Sequence, residues 1–160
     1  MQKVVRVLGV DPGTRNVGFG VIDKVGSRLH AVDYGVITAK AQDLPNRLKE
    51  IRDGIAAVIA QHHPHVLAVE EAFYAKNVKS TLRIGEGRGV VLLCAAEAGI
   101  PVNEYAARLV KRATVGTGAA HKSQVQQMVK SILGLDAPPR PEDAADALAI
   151  AICHCNRVSL

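Results

Sequence analysis

Residues 7–18, VLGVDPGTRNVG, set an apolar run directly against an acid and then against a turn. A strand of Val, Leu and Gly without polar alternation is built for burial on both faces, as in the middle of a sheet covered by helices. Asp11 ends that run, and Pro12 and Gly13 turn the chain away immediately. An interior strand that ends on a carboxylate presents it at the rim of the sheet, where α/β folds place their sites.

The rest of the chain supplies the layers such a strand needs. Residues 4–10, 17–24 and 28–39 read as a three-stranded meander joined by DPGTRN and VGS. DLPNRLKEIRDGIAAVIAQHH then spaces Leu44, Leu48, Ile51, Ile55, Val58 and Ile59 as one helical face, and Pro64 stops it. HVLAVEE is a short apolar strand ending on Glu70 and Glu71. The polar stretch AFYAKNVKS leads into a helix through LRIGEGRGVVLLCAAEAG, PVNEY gives a fifth strand, and AARLVKRATV reads as helical. HKSQVQQMVKSILG carries the stripe Val125, Met128, Val129, Ile132 and Leu133, and EDAADALAIAICHC forms the last helix. This order predicts an α/β fold, a five-stranded mixed sheet flanked by helices, with residues 1–160 as one domain. If the first and fourth strands are parallel neighbours, their carboxyl ends lie side by side.

Three elements therefore end an apolar run on acids. Asp11 and Glu70 close strands, while Asp143 and Asp146 are three apart and share a helical face. The continuation AADALAIAI is apolar around its whole circumference, so that helix is buried and Asp146 lies at the edge of an interior. Each acid also has a plainer reading: Asp11 as a turn residue, Glu70 as a strand end in solvent, and the last pair as partners of a helix dipole. Their convergence on one place favours a site. Four clustered carboxylates stay ionised only with cations between them, and an oxygen-only ligand set suits Mg²⁺ or Mn²⁺. Such a set fits a two-metal phosphodiester hydrolase.

Charge points the same way. Residues 75–130 hold nine Lys/Arg against three acids, while the remainder holds eleven against twelve. The basic excess is thus confined to one segment, as for a face that meets a polyanion, although a solvated basic surface gives the same count. Cys94, Cys153 and Cys155 lack zinc-site spacing and read as reduced structural thiols. The start MQKVVRVLGV reads as a strand and not as a signal peptide, and no apolar run is long enough to span a membrane. A cytoplasmic location is expected.

LGVDPGTRNVGFGVI, DLPNRL, LAVEEAFYAKN, EYAARLVKRATVGTG, HKSQVQQMV and EDAADALAIAI, in this order, resemble the blocks of the RuvC-type Holliday junction resolvases, within the ribonuclease H-like superfamily. The resemblance covers essentially the whole chain. It implies that Asp11, Glu70, Asp143 and Asp146 are the four catalytic acids holding two Mg²⁺, with Mn²⁺ as a substitute. It implies that Lys111 and Lys122 contact DNA near the site, and that Phe73, in a loop, meets bases at the crossover. Glu71 stands where many relatives carry an amide. The neighbours Tyr74, Lys76 and Asn77, and Lys79 beyond them, are read with Phe73 as a solvated loop facing DNA, although in a chain so poor in aromatics either ring could equally fill the core. The implied activity is symmetric cutting of two opposed strands of a four-way junction by a homodimer, with a preference for a thymine-rich step, leaving 5′-phosphate and 3′-hydroxyl ends. Family members act with a branch-migration complex of the RuvA and RuvB type. VVLLCAAEAG, residues 90–99, is either a core helix or a partly exposed face between subunits.

Three other readings remain open at this point. DPGT resembles the phosphate turn of actin-like and Hsp70-like ATPases, but those need a second lobe and a second glycine-rich loop. A nuclease of the same fold could process RNA instead. A non-catalytic DNA-binding module would use its acids only as caps.

Overall fold

The computed structural model describes residues 1–71, 77–115 and 121–159, with Lys122 described by its backbone alone. Its elements are β1 (Val4–Asp11), β2 (Asn16–Val25), β3 (Arg28–Thr38), α1 (Leu44–His62), β4 (Val66–Glu70), α2 (Val78–Glu97), β5 (Val102–Tyr105), α3 (Ala107–Val115), α4 (Lys122–Leu133) and α5 (Glu142–Cys155). The five strands form one mixed sheet in the order β3-β2-β1-β4-β5. The meander is antiparallel, and β1 pairs with β4, and β4 with β5, in parallel. The expected neighbourhood of the first and fourth strands is therefore present.

Helices cover both faces, each over its own core. On one side Leu8, Val10, Val17, Val21, Leu67 and Val69 pack against α1 and α2 through residues such as Ile51, Ile55, Val91 and Cys94. On the other, Val7, Ile22, Val66 and Ala68 meet α3, α4 and α5. The alternation along β1 explains the division: successive side chains point to opposite faces, and both faces are covered. Helix α1 starts where Asp43 accepts a hydrogen bond from the Asn46 amide, with Pro45 in the first turn. It ends at His63 in the left-handed region.

Two local expectations change. Helix α2 begins at Val78, ahead of LRIG, because the Asn77 side chain accepts from the Ser80 amide at 2.9 Å and caps the first turn. Asn77 and Lys79 thus belong to a helix start and not to an irregular loop. Met128 lies on the outer side of α4, 38% exposed, while Val125 and Val129 are buried. The stripe is narrower than its spacing suggests, because α4 lies at the margin of the core and only one edge of it is covered.

Candidate active site

The acids converge through two elementary rules. Alternation sends Val7, Gly9 and Asp11 of β1, and Val66, Ala68 and Glu70 of β4, to the face that carries α5. The parallel register sets Val10 beside Val69, so the next residue on each strand, Asp11 and Glu70, ends neighbouring strands at the same level.

Helix α5 then has to come close. A Cβ on Gly9 would strike the Ala147 carbonyl oxygen, one on Gly18 the Asp143 carbonyl, and one on Gly20 the Leu148 side chain. Gly9 and Gly20 are paired across β1 and β2, and Gly18 lies opposite Asp11. These positions form a shallow bed in which the backbone of α5 rests almost on the sheet. Every residue of α5 from Ala144 to Cys155 is buried except Asp146, which is half-buried like Asp11 and Asp143. One carboxylate oxygen from each of Asp11, Asp143 and Asp146 lies within 4.8 Å of the others.

A cleft of about 360 Å³ opens over this cluster, with Asp11, Glu70, Asp143, Asp146 and Lys111 on its lining. Its apolar wall is made by Val110, Val125, Ala149 and Ile150. Four acids facing one lysine leave an excess of negative charge that a divalent cation of oxygen preference would neutralise. The donor set fits Mg²⁺ or a similar hard ion: all oxygen, with no histidine or cysteine among the described lining residues. The three thiols lie elsewhere, and burial raises the pKa of each, that of Cys155 to about 12. They are structural groups and not nucleophiles.

The loop after Asp11 is braced from the opposite layer. Arg47, only 8% exposed, donates through Nε to the Thr14 carbonyl at 3.2 Å and through a terminal nitrogen to the Gln42 carbonyl at 2.7 Å. Gly87 of α2 lies against the Gly13 carbonyl, where a Cβ would collide. The sequence marks Arg47 only as part of DLPNRL. Its role was not legible there, because a lone arginine in an amphipathic helix reads as solvated until its burial is known.

The four expected acids and Lys111 are thus brought to one cleft, with Glu70 on the lining but outside the tight group of three. Glu71 is exposed; its amide donates to the Tyr105 carbonyl at 2.8 Å, and its side chain is not on the described lining. Lys122 opens α4, with its side chain outside the described part of the structure. Phe73, Tyr74 and Lys76 lie outside the described residues.

Known proteins resemble this chain in sequence and in fold. The family described as crossover junction endodeoxyribonuclease RuvC matches residues 7–154. A RuvC from Photorhabdus laumondii is 54% identical over 94% of this chain and 86% of its own. That of Citrifermentans bemidjiense is 50% identical over 96% and 94%. The structure of Thermus thermophilus RuvC in complex with Holliday junction substrate superposes with a TM-score of 0.88 at 37% identity, over 94% of this chain and 92% of that one. The yeast mitochondrial Holliday junction resolvase, 16% identical with a TM-score of 0.65 over 94% of this chain and 79% of its own, shares the fold. Sequence and fold agree, and the chain belongs to the RuvC family of crossover junction endodeoxyribonucleases.

Proposed function

We propose that this chain resolves four-way DNA junctions by divalent-metal-dependent hydrolysis of two opposed strands, with Asp11, Glu70, Asp143 and Asp146 as the metal-binding acids. The observation that carries the reading is the convergence of three aspartate oxygens within 4.8 Å at the meeting of a strand end and a buried helix. A buried, rigid framework holds these carboxylates in place before substrate arrives, which is what positional catalysis requires. Two Mg²⁺, or Mn²⁺ in their place, supply when bound the Lewis acidity that activates water and stabilises the leaving oxygen. Lys111 faces the acids across the cleft and offsets the charge of the scissile strand. The apolar wall of Val110, Val125 and Ile150 keeps the cleft from deforming and strengthens those charge interactions. Lys122, Phe73, Tyr74, Lys76 and Asn77 complete the reading as DNA contacts.

A homodimer would supply the second site needed for the opposed strand. Its interface is assigned to α2, where Val78, Leu82 and Leu93 are 76%, 60% and 54% exposed. Gly85 and Gly89, with open space beside them, fall on the same face. A stripe of exposed aliphatics and glycines invites a second helix at close range. The family resemblance supports action with a branch-migration complex, in the cytoplasm. Among the described residues no helix is long and apolar enough to cross a membrane.

The decisive experiment incubates pure protein with a four-way junction and with linear duplex, with and without Mg²⁺. Paired symmetric nicks in the junction alone are expected, and Asp146→Asn should abolish them while metal-free junction binding survives. Cleavage by Asp146→Asn at a near-normal rate would remove Asp146 from the site.

A further inference from the structure

Outside the cleft, some surface cations meet an acid and others do not. Arg6, Lys49, Arg52, Arg83 and Arg88 all pair with acids, namely Asp23, Asp53, Glu97, Glu86 and Glu104. Arg108, Arg112 and Arg157, like Lys3, Arg15, Arg28, Lys40, Lys79 and Arg140 elsewhere on the surface, make no ion pair among the described residues. All three are exposed, and they differ from the others in lying together along one groove and the helix beside it.

Their placement is specific. Arg108 and Arg112 are four apart on α3 and share one face. Lys111, adjacent to Arg112, lines the catalytic cleft, whereas Arg112 lines a separate groove of about 290 Å³. Helix α3 is therefore a ridge between the two. The groove is floored by Leu109, Ala113 and Cys153 and rimmed by Arg112, Asn156 and Arg157. The Arg157 guanidinium lies 5.9 Å from the centre of the Tyr105 ring, which orients it. Asn156 donates to the Ala113 carbonyl at 3.4 Å and joins the two helices there.

From this juxtaposition we propose that Arg108, Arg112 and Arg157 form a second phosphate-binding strip, which holds the backbone of a junction arm as it leaves the cleft over α3. The inference rests on the junction-nuclease reading. Three neighbouring cations without acids repel one another, and a polyanion laid across them relieves that repulsion while releasing its own counterions. The forked guanidinium donors suit phosphate oxygens. Arg157 covers the Tyr105 ring, so the strip offers backbone contacts and not a stacking surface for bases. Its partner is the sequence-independent phosphate chain of an arm.

The test compares the full-length protein with Arg112→Gln/Arg157→Gln, measuring metal-free binding to long-armed and truncated-arm junctions across a salt series. On long arms, the slope of log affinity against log salt should flatten by about two units, roughly 0.9 for each phosphate that the variant leaves unneutralised. The affinity loss should be smaller on truncated arms, the melting temperature should stay unchanged, and Arg112→Lys/Arg157→Lys should recover most of the slope. A slope equal to that of the wild type, or an equal loss on both arm lengths, overturns the strip; so does binding that weakens only as the fold melts. If the wild type neither binds nor cuts junctions, the junction reading itself fails. If the wild type cuts normally and only the slope is unmoved, the strip alone fails. An acidic protein as the true occupant would show as that same unmoved slope.

Discussion

The two faces of the sheet are packed by opposite means. Against α1 and α2 the strands present Leu8, Val10, Val17, Val21, Leu67 and Val69, bulky side chains that interlock with Ile51, Ile55 and Ile59. Against the axis of α5 they present Gly9, Gly18 and Gly20, with Val7 and Ile22 to either side, and the helix answers with small alanines between Leu148, Ile150 and Ile152. The first arrangement buries much apolar volume and tolerates small shifts. The second brings backbone onto backbone, gaining less transfer energy per residue but fixing the helix position closely. The carboxylates ride on the second. Short side chains such as aspartate reach a common point only if their helix lies close to the strand ends, so the thin layer belongs with the chemistry and the thick one with stability.

Breaking the thin layer should have the largest effect. Gly18→Val would drive a branched side chain into the Asp143 carbonyl, which as backbone cannot give way. Displacing catalytic groups by about 1 Å can cost roughly 10²-fold in rate, so junction cleavage should fall at least that far, with a loss of stability beside it. Gly54→Ala on α1 is the control: the atoms nearest its new Cβ all belong to the Ile37 side chain and none to backbone, so the neighbour that must shift is a side chain away from the acids. Cleavage by Gly54→Ala should remain within a few-fold of the wild type. Equal activity losses in the two variants would erase the distinction between the faces.

An intermediate effect tests the thick layer. Ile55 is fully buried against the sheet, and Ile55→Ala should cost about 2–5 kcal/mol in denaturant unfolding. The cleavage rate of the folded fraction should stay unchanged. A rate that fell with stability would mean that the α1 side sets the site geometry as directly as α5 does.

The smallest effect sharpens the picture at the far end of α5. His154 is buried with Nδ1 2.6 Å from the Tyr105 hydroxyl, and burial, helped by nearby Lys24, holds its pKa below the ordinary histidine value. Above about pH 6.5 the residue is neutral in both folded and unfolded chains. As the pH falls below that, the unfolded chain takes up a proton that the folded chain refuses, so stability is lost progressively toward the depressed folded value. His154→Gln should flatten that part of the melting-temperature profile between about pH 7 and pH 5. An unchanged slope would show that other histidines carry the acid sensitivity.

Much of this was legible in the residues alone. The unbroken apolar run of β1, the helix apolar on all sides and the acids that end them are local patterns, and they located Asp11, Glu70, Asp143 and Asp146 before any contact was known. Helix starts were less legible: the cap at Asn77 competes with a polar stretch that reads equally well as loop, and only the Asn77 bond to the Ser80 amide decides between them. Met128 failed for a related reason, since helical spacing gives the direction of a face but not how far the core extends beneath it. Arg47 was invisible as a brace because it acts by tying the Thr14 carbonyl, in the connection between β1 and β2, to the Gln42 carbonyl just ahead of its own helix, and backbone atoms leave no mark in residue type.

By itself, then, the sequence determined which elements form, which strands are interior and which residues carry the negative charge, because these follow from periodicity, burial and residue type along one chain. Tertiary structure decided what those parts mean to one another. The parallel register that sets Asp11 beside Glu70, and the glycine bed that lets α5 bring Asp143 and Asp146 to Asp11, are relations between segments distant in sequence. So are the pairing of Arg52 with Glu97 across α1 and α2 and the meeting of Arg112 and Arg157 at one groove. A chain encodes such distances only through how its surfaces fit, and that fit exists only once the layers have packed.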